Sequence, residues 1–176
     1  MRFFNFLRKF RFFQRDGLVI ANATPADVTD RIIPQVEEGI EIGAFSGDKR
    51  GVKNLEQELI SVCHHQKKEV TGLYLYIFSD VKIKKYIGFA YLKPVISECD
   101  RAACMELSMF SVVSHQRGKG YGKRMLEYLL NRSGSVDLEA VCLPQSILMM
   151  NLLESYGFQL MQTTPGGKRT WRLPAK

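Results

Sequence analysis

Residues 116–122, Gln-Arg-Gly-Lys-Gly-Tyr-Gly, constrain this chain more than any other segment. The run before them, Cys104 to Val113, alternates as a strand does. The run after them, Gly120 to Asn131, sets Tyr121, Met125, Tyr128 and Leu129 on one side of a helix and Lys123, Arg124 and Glu127 on the other. Glycines let a backbone come close to a ligand and adopt dihedrals closed to other residues. A loop that delivers into a helix N-terminus offers unpaired amides and a dipole that favours an anion. Arg117 and Lys119 add positive potential, and a pyrophosphate suits such a site. A tight strand-to-helix turn is the plainer reading of the same spacing. The segment is not a P-loop, because no Gly-Lys-Ser/Thr ends it, and Asp137 and Glu139 are weak candidates for the acid of a dinucleotide fingerprint.

The remaining elements fall on both sides of this unit. Leu18 to Ala23 reads as a strand. Thr24-Pro25 starts a helix that runs through Asp30, with Pro34 expected to break or kink it. Residues 43–51 read as a loop, and Lys53 to Gln66 as a helix with Leu55, Leu59, Ile60 and Cys63 inward. Val70 to Phe78, Lys85 to Leu92 and Cys104 to Val113 are three strands with short links, which suggests an antiparallel meander. Val136 to Cys142 is a further strand. Ser146 caps a helix with Leu148, Met149, Leu152, Leu153 and Tyr156 inward, and Gly157 ends it. Phe158 to Met161 and Arg169 to Leu173 complete the series.

A chain of 176 residues fits one domain with a short appendage. The net charge of +7 is concentrated: Arg2, Arg8, Lys9, Arg11 and Arg15 stand in residues 1–15 with no acid, beside six of the eleven Phe. As a helix, that leader places Phe3, Phe6, Leu7, Phe10, Phe13 and Gln14 on one side. It reads as a helix docked on its own domain, as an arm for RNA or a membrane surface, or as a homodimer contact. The domain is expected to begin at residue 17, with 1–16 as the arm. The longest run without charge, Ala140 to Leu153, has 14 residues, and a membrane span needs about 20. Four Cys without a CxxC pair and three His suggest reduced thiols in a cytoplasmic protein and no metal.

The segment Glu106 to Leu130 closely resembles the acetyl-CoA-binding core of the GCN5-related N-acetyltransferases, whose loop pattern is met by Arg117, Gly120 and Gly122, with Gly118 and Lys119 also typical. Glu139 to Phe158 resembles their next block, ending in Tyr156-Gly157-Phe158. The resemblance covers residue 18 to about 174 and leaves the leader outside. It implies an α/β fold with a mixed, largely antiparallel sheet, splayed between its fourth and fifth strands and flanked by helices. Acetyl-CoA would enter that split. Phe110, Val112 and Val113 would line the pantetheine arm; Arg117, Gly118, Lys119, Gly120, Tyr121 and Gly122 would hold the pyrophosphate, and Ser146 would lie beside the cofactor.

The activity implied is transfer of an acetyl group to a primary amine of a small molecule, peptide or aminoacyl-tRNA. Glu106 is the first candidate for the base, with Ser108, Phe110 and Val112 as its alternate neighbours. The family's usual acid, a Tyr, falls at Leu153 here; Tyr156 is the nearest substitute and otherwise packs in the core. Cys142 is a remote candidate nucleophile. Loss of the Tyr also admits a protein that binds acyl-CoA without efficient transfer. Glu37, Glu38, Glu41 and Asp48 form either an acidic rim that attracts a polyamine, aminoglycoside or Lys-rich peptide, or a solvated face. The late hairpin near 162–169 is expected to help select the acceptor.

Overall fold

The computed structural model describes residues 13–15, 17–66, 72–133 and 136–175. Eight strands form one sheet: β1 (Phe13–Arg15), β2 (Leu18–Asn22), β3 (Tyr74–Asp80), β4 (Lys85–Ile96), β5 (Ala103–Val112), β6 (Leu138–Cys142), β7 (Gln159–Thr163) and β8 (Arg169–Leu173). Their order is β1-β2-β3-β4-β5-β6-β8-β7. Every neighbouring pair is antiparallel except β5–β6, which is parallel. The fold is the mixed, mostly antiparallel sheet flanked by helices that the family resemblance implied.

The helices lie in two layers. α1 (Pro25–Asp27), a π-helical turn (Val28–Ile32), α2 (Ile33–Glu41) and α3 (Lys49–Gln66) cover one face, burying Val28, Ile32, Val36, Leu59 and Val62 against Leu75, Phe89 and Tyr91. α4 (Tyr121–Ser133) and α5 (Ile147–Ser155) cover the other. There Met125, Leu126, Met150 and Leu153 meet Phe78, Ile87, Leu92, Leu138 and Trp171.

Several boundaries differ from expectation for identifiable reasons. Phe13–Arg15 pairs with β2 as a strand rather than continuing a helix; the rest of the leader lies outside the described residues. Pro34 does not end its helix. The π turn precedes it, with the Ile33 N–H bonded to Val28 O, and Pro34 then sits in the first turn of α2, where a missing N–H is harmless. α3 starts at Lys49 because the Asp48 carboxylate accepts from the Gly51 N–H at 2.8 Å, a cap hidden in a glycine-containing segment. β3 runs on past Phe78 through Ser79 and Asp80. The Asp80 carboxylate accepts from the amides of Lys82 and Ile83 in the turn that follows.

Two buried polar clusters hold the sheet to its surroundings. The Tyr121 hydroxyl at the start of α4 donates to Asp80 at 2.7 Å, so the end of β3 fixes where α4 begins. Burial alone would raise the Asp80 carboxyl; the bonds from Tyr121, Lys82 and Ile83 outweigh it and hold the group below its ordinary value. At the opposite end of the sheet, the Arg172 guanidinium on β8 bonds both oxygens of Asp100 and reaches Glu139 on β6 at 2.8 Å; Ser97 donates to the same Glu139 oxygen.

Two outcomes follow from these clusters. Asp80→Ala leaves the buried Tyr121 hydroxyl unpaired and should lower the unfolding free energy by about 1–3 kcal/mol in urea. A carboxylate held low stabilises the fold above its ordinary pKa and loses that contribution as pH falls through its folded value. Wild type should therefore lose more Tm than Asp80→Asn when pH is taken below about 4. Arg172→Met strands Glu139 in the interior and should cost about 3–5 kcal/mol.

Candidate active site

β5 and β6 pair only at Met105↔Leu138 and Glu106↔Glu139. Beyond those residues the two strands part, and the gap opens into a cleft of about 470 Å³. β5, the loop after it, the first turn of α4, the end of β6 and the first turns of α5 form its walls; the segment after α2 borders one end.

The β5 wall carries a β-bulge. Tyr91 is opposite Met109 and Leu92 is opposite Leu107, so Ser108 is the extra residue. The bulge resets the alternation. Met105 and Leu107 point to the α4 side, Met109 points to the α2 side, and Phe110 and Val112 return to the α4 side. Glu106, Ser108, Phe110 and Val112 therefore do not form one row, contrary to the alternation read from the sequence.

The same strand presents open peptide groups to the gap. The Val113 N–H donates to Ile87 O at 2.9 Å. Antiparallel bonding alternates along the pairs Gly88↔Val112, Phe89↔Ser111 and Ala90↔Phe110, so the amides of Phe110 and Val112 point away from β4 and into the cleft. The Val112 carbonyl accepts from Arg117 Nε at 3.0 Å. Val113 is turned the other way, toward β4.

Gln116, Arg117, Gly118, Gly120, Tyr121, Gly122 and Lys123 line the adjoining loop wall. The Arg117 N–H is used within the loop, donating to Ser114 O at 3.1 Å. Among the described residues, no backbone acceptor meets the amides of Gly118, Lys119, Gly120, Tyr121 or Gly122. Gly118 and Gly120 have φ of +75° and +78°, a region that favours glycine, and a Cβ at either would meet nothing within 4 Å. The loop thus holds a set of amide donors facing open space at a helix N-terminus, which suits a pyrophosphate. Lys119 Nζ is tied back to His115 O and Gln116 Oε1, both at 3.0 Å, while Arg117 pairs with Glu38 of α2 at 3.4 Å. That pair is half exposed and contributes about 0–1 kcal/mol.

The predicted catalytic residues separate. Ser108 lines the cleft. Its hydroxyl donates to Glu106 at 2.6 Å, and Glu106 also faces Lys93 at 3.7 Å. Glu106 itself lies behind Ser108 rather than on the cleft wall. Tyr156 does not reach the cleft. Its hydroxyl donates to Glu127 of α4 at 2.7 Å, and burial followed by that carboxylate raises its pKa. Leu153 is fully buried in the core. The α5 wall is built from Leu148, Met149 and Leu152, so it offers no acid. Cys142 does line the cleft, but burial pushes its thiol up to about 11, which keeps it protonated at neutral pH.

Ser146 stands at the start of α5 without a side-chain cap bond; its hydroxyl donates to Ala44 O at 3.4 Å, across the end of the cleft beside α2. Of the helix face expected to point inward, Leu148 is 79% exposed, and Met150 is buried in its place. Residues 159–169 do not line the cleft; Gly167 in the late hairpin packs on Pro144.

Several residues that line or support the walls had no individual sequence signal. Gln35 on α2 is buried, donates to Ser111 at 2.7 Å and accepts from the Tyr86 hydroxyl at 3.0 Å, pinning α2 to β5. Gly39 allows Phe45 to lie on α2: an added Cβ would stand 2.3 Å from the ring. A glycine inside an amphipathic helix was the available clue. Among the described residues, no cluster of three metal-ligating side chains occurs, and no helix is long and apolar enough to cross a membrane.

Comparison with known proteins places this arrangement. No curated protein matches the chain. Among solved structures, a GNAT-family acetyltransferase from Streptococcus agalactiae matches with a TM-score of 0.73 at 15% identity, over 94% of this chain and 99% of that one. A putative acetyltransferase from Salmonella typhimurium, solved with its cofactor acetyl-CoA, matches at 0.69 and 17% identity, over 90% and 94%. A phosphinothricin acetyltransferase from Sinorhizobium meliloti, in complex with acetyl-CoA, matches at 0.68 and 18%, over 90% and 89%. The family model for the acetyltransferase (GNAT) family matches residues 48–158, more than half of the sequence. The chain belongs to the GNAT acetyltransferase family, whose general chemistry is acetyl-CoA-dependent acyl transfer.

Proposed function

We propose that this protein is an acetyl-CoA-dependent N-acetyltransferase acting on a primary amine, with Ser108 and Glu106 relaying the amine proton. The observation that carries the reading is the bulge: it puts the Ser108 hydroxyl on the cleft wall while its proton is directed at Glu106. When bound, acetyl-CoA supplies an activated acyl group and a thiol leaving group. The residues of this chain do the rest. The amides of Phe110 and Val112, with those of Gly118 to Gly122, bind and orient. Ser108 Oγ, whose own O–H donates to Glu106, has lone pairs free to accept from an amine. As that proton arrives at Ser108, the hydroxyl proton passes to the Glu106 carboxylate, which must later return it. Lys93 Nζ stands 3.7 Å from the Glu106 carboxylate and gives it a fixed neighbour of opposite charge.

The α5 wall lacks a donor, so water protonates the departing thiol. An ordinary thiol pKa of about 8.5 makes that step feasible. The same apolar wall supports a second reading, a protein that binds acyl-CoA without turnover. Tight binding of acetyl-CoA with no thiol release from any amine would establish it.

Two measurements test the leading reading. Glu106→Gln should lower kcat by about 10²–10⁴ with acetyl-CoA Kd unchanged, and the deficit should shrink as pH approaches the pKa of the amine, where solvent removes the proton. A kcat within twofold of wild type across pH would contradict the relay. Gly120→Val should weaken acetyl-CoA binding about tenfold or more by calorimetry, because a branched side chain at positive φ strains the loop and occupies the approach to its amides. An unchanged Kd would remove the loop from the binding site.

A further inference from the structure

The cleft has two chemically different ends. One contains the loop amides, Arg117 and Lys123. The other is bounded by Ile42, Ala44 and Phe45 after α2, Val141 at the end of β6, and Leu148 on α5. One hydrogen bond and one close approach bring these segments together: Ser146 Oγ donates to Ala44 O at 3.4 Å, and Gly43 lies so near Gln145 that an added Cβ would stand 3.3 Å from it. These approaches bridge that end of the cleft and leave its apolar side chains in water.

Its aliphatic residues are held in water. Ile42 is 53% exposed, Val141 46% and Leu148 79%. Large apolar side chains gathered at the mouth of a cleft mark a surface that gains by being covered. No Asp or Glu lines the cleft among the described residues. The acids expected to form a rim are placed elsewhere: Glu38 pairs with Arg117, Asp48 caps α3, and Glu37 and Glu41 are exposed off the cleft. Glu106, reached through Ser108, is already matched by Lys93.

We infer that the acceptor is a small monoamine carrying an aliphatic or aromatic group, and not a polyamine or a Lys-rich peptide. This rests on the N-acetyltransferase reading above. The amine enters toward Ser108, and its apolar group lies between Ile42, Phe45, Val141 and Leu148. A second cationic group would meet no carboxylate there and would face Arg117 and Lys123 at the other end. The cleft of about 470 Å³ must also admit the thioester end of acetyl-CoA, so the acceptor is short. In the reaction, the amine nitrogen forms the amide bond as the thioester C–S bond breaks; one amine proton leaves through Ser108, and the thiolate is protonated by water.

The test is thiol release by the full chain with acetyl-CoA and a panel of amines: propylamine, butylamine, hexylamine, phenethylamine, spermidine and a Lys-rich peptide. Each added methylene should raise kcat/KM about threefold to fourfold until the pocket is filled. Spermidine and the peptide should lie at least tenfold below hexylamine. Ile42→Asp should lower kcat/KM for hexylamine tenfold or more while acetyl-CoA still binds. Preference for spermidine or the peptide would overturn the acceptor class and leave N-acetyl transfer standing. A profile flat in chain length, with a dimer that Leu148→Asp dissociates, would assign the apolar surface to a second copy of the chain. Acetyl-CoA binding without thiol release from any amine would overturn both readings.

Discussion

The parting of β5 from β6 is the constraint on which the site depends. A parallel pair continued along both strands would satisfy every peptide group and leave no cleft. Here pairing stops after Met105↔Leu138 and Glu106↔Glu139. The strands are still held where they meet, because Arg172, Glu139, Ser97 and Asp100 bind that end of β6 to β8 and to the segment after β4. Beyond it, the bulge at Ser108 turns β5, and the amides of Phe110 and Val112 face the gap. Open backbone groups must find partners, and the cleft gives a ligand access to them.

The same bulge divides the chemistry. Phe110 and Val112 lie with α4 on the binding side, while Glu106 lies on the face toward α2, behind a serine that reaches the cleft. The helices then fix the two walls independently. Tyr121 anchors the start of α4 to Asp80, and Gln35 anchors α2 to Ser111 and Tyr86. One anchor sets the loop amides and the other the end of the cleft beside α2.

The sequence made the loop legible because strand alternation, closely spaced glycines and helical periodicity are all local signals. The same local signals identified most of the elements, and the resemblance supplied the place of the split. The bulge was not legible: one inserted residue depends on how β4 pairs with β5, and it moved Glu106 off the row of Phe110 and Val112. Tyr156 was also ambiguous, since its direction depends on Glu127 in another helix. α3 began earlier than its apolar pattern because the cap, Asp48, stands among residues that otherwise read as loop. The acidic residues of α2 were visible, but their partners were not: only the packing of α2 against the loop places Glu38 beside Arg117.

Amide hydrogen exchange with and without acetyl-CoA tests the central claim most directly. If the parted strands and the glycine loop form the binding site, acetyl-CoA will slow exchange at Phe110 and Val112 and at Gly118 to Gly122, while the amides of β2 and β3 remain unchanged. Saturating acetyl-CoA that leaves exchange at these seven amides unchanged would contradict the account.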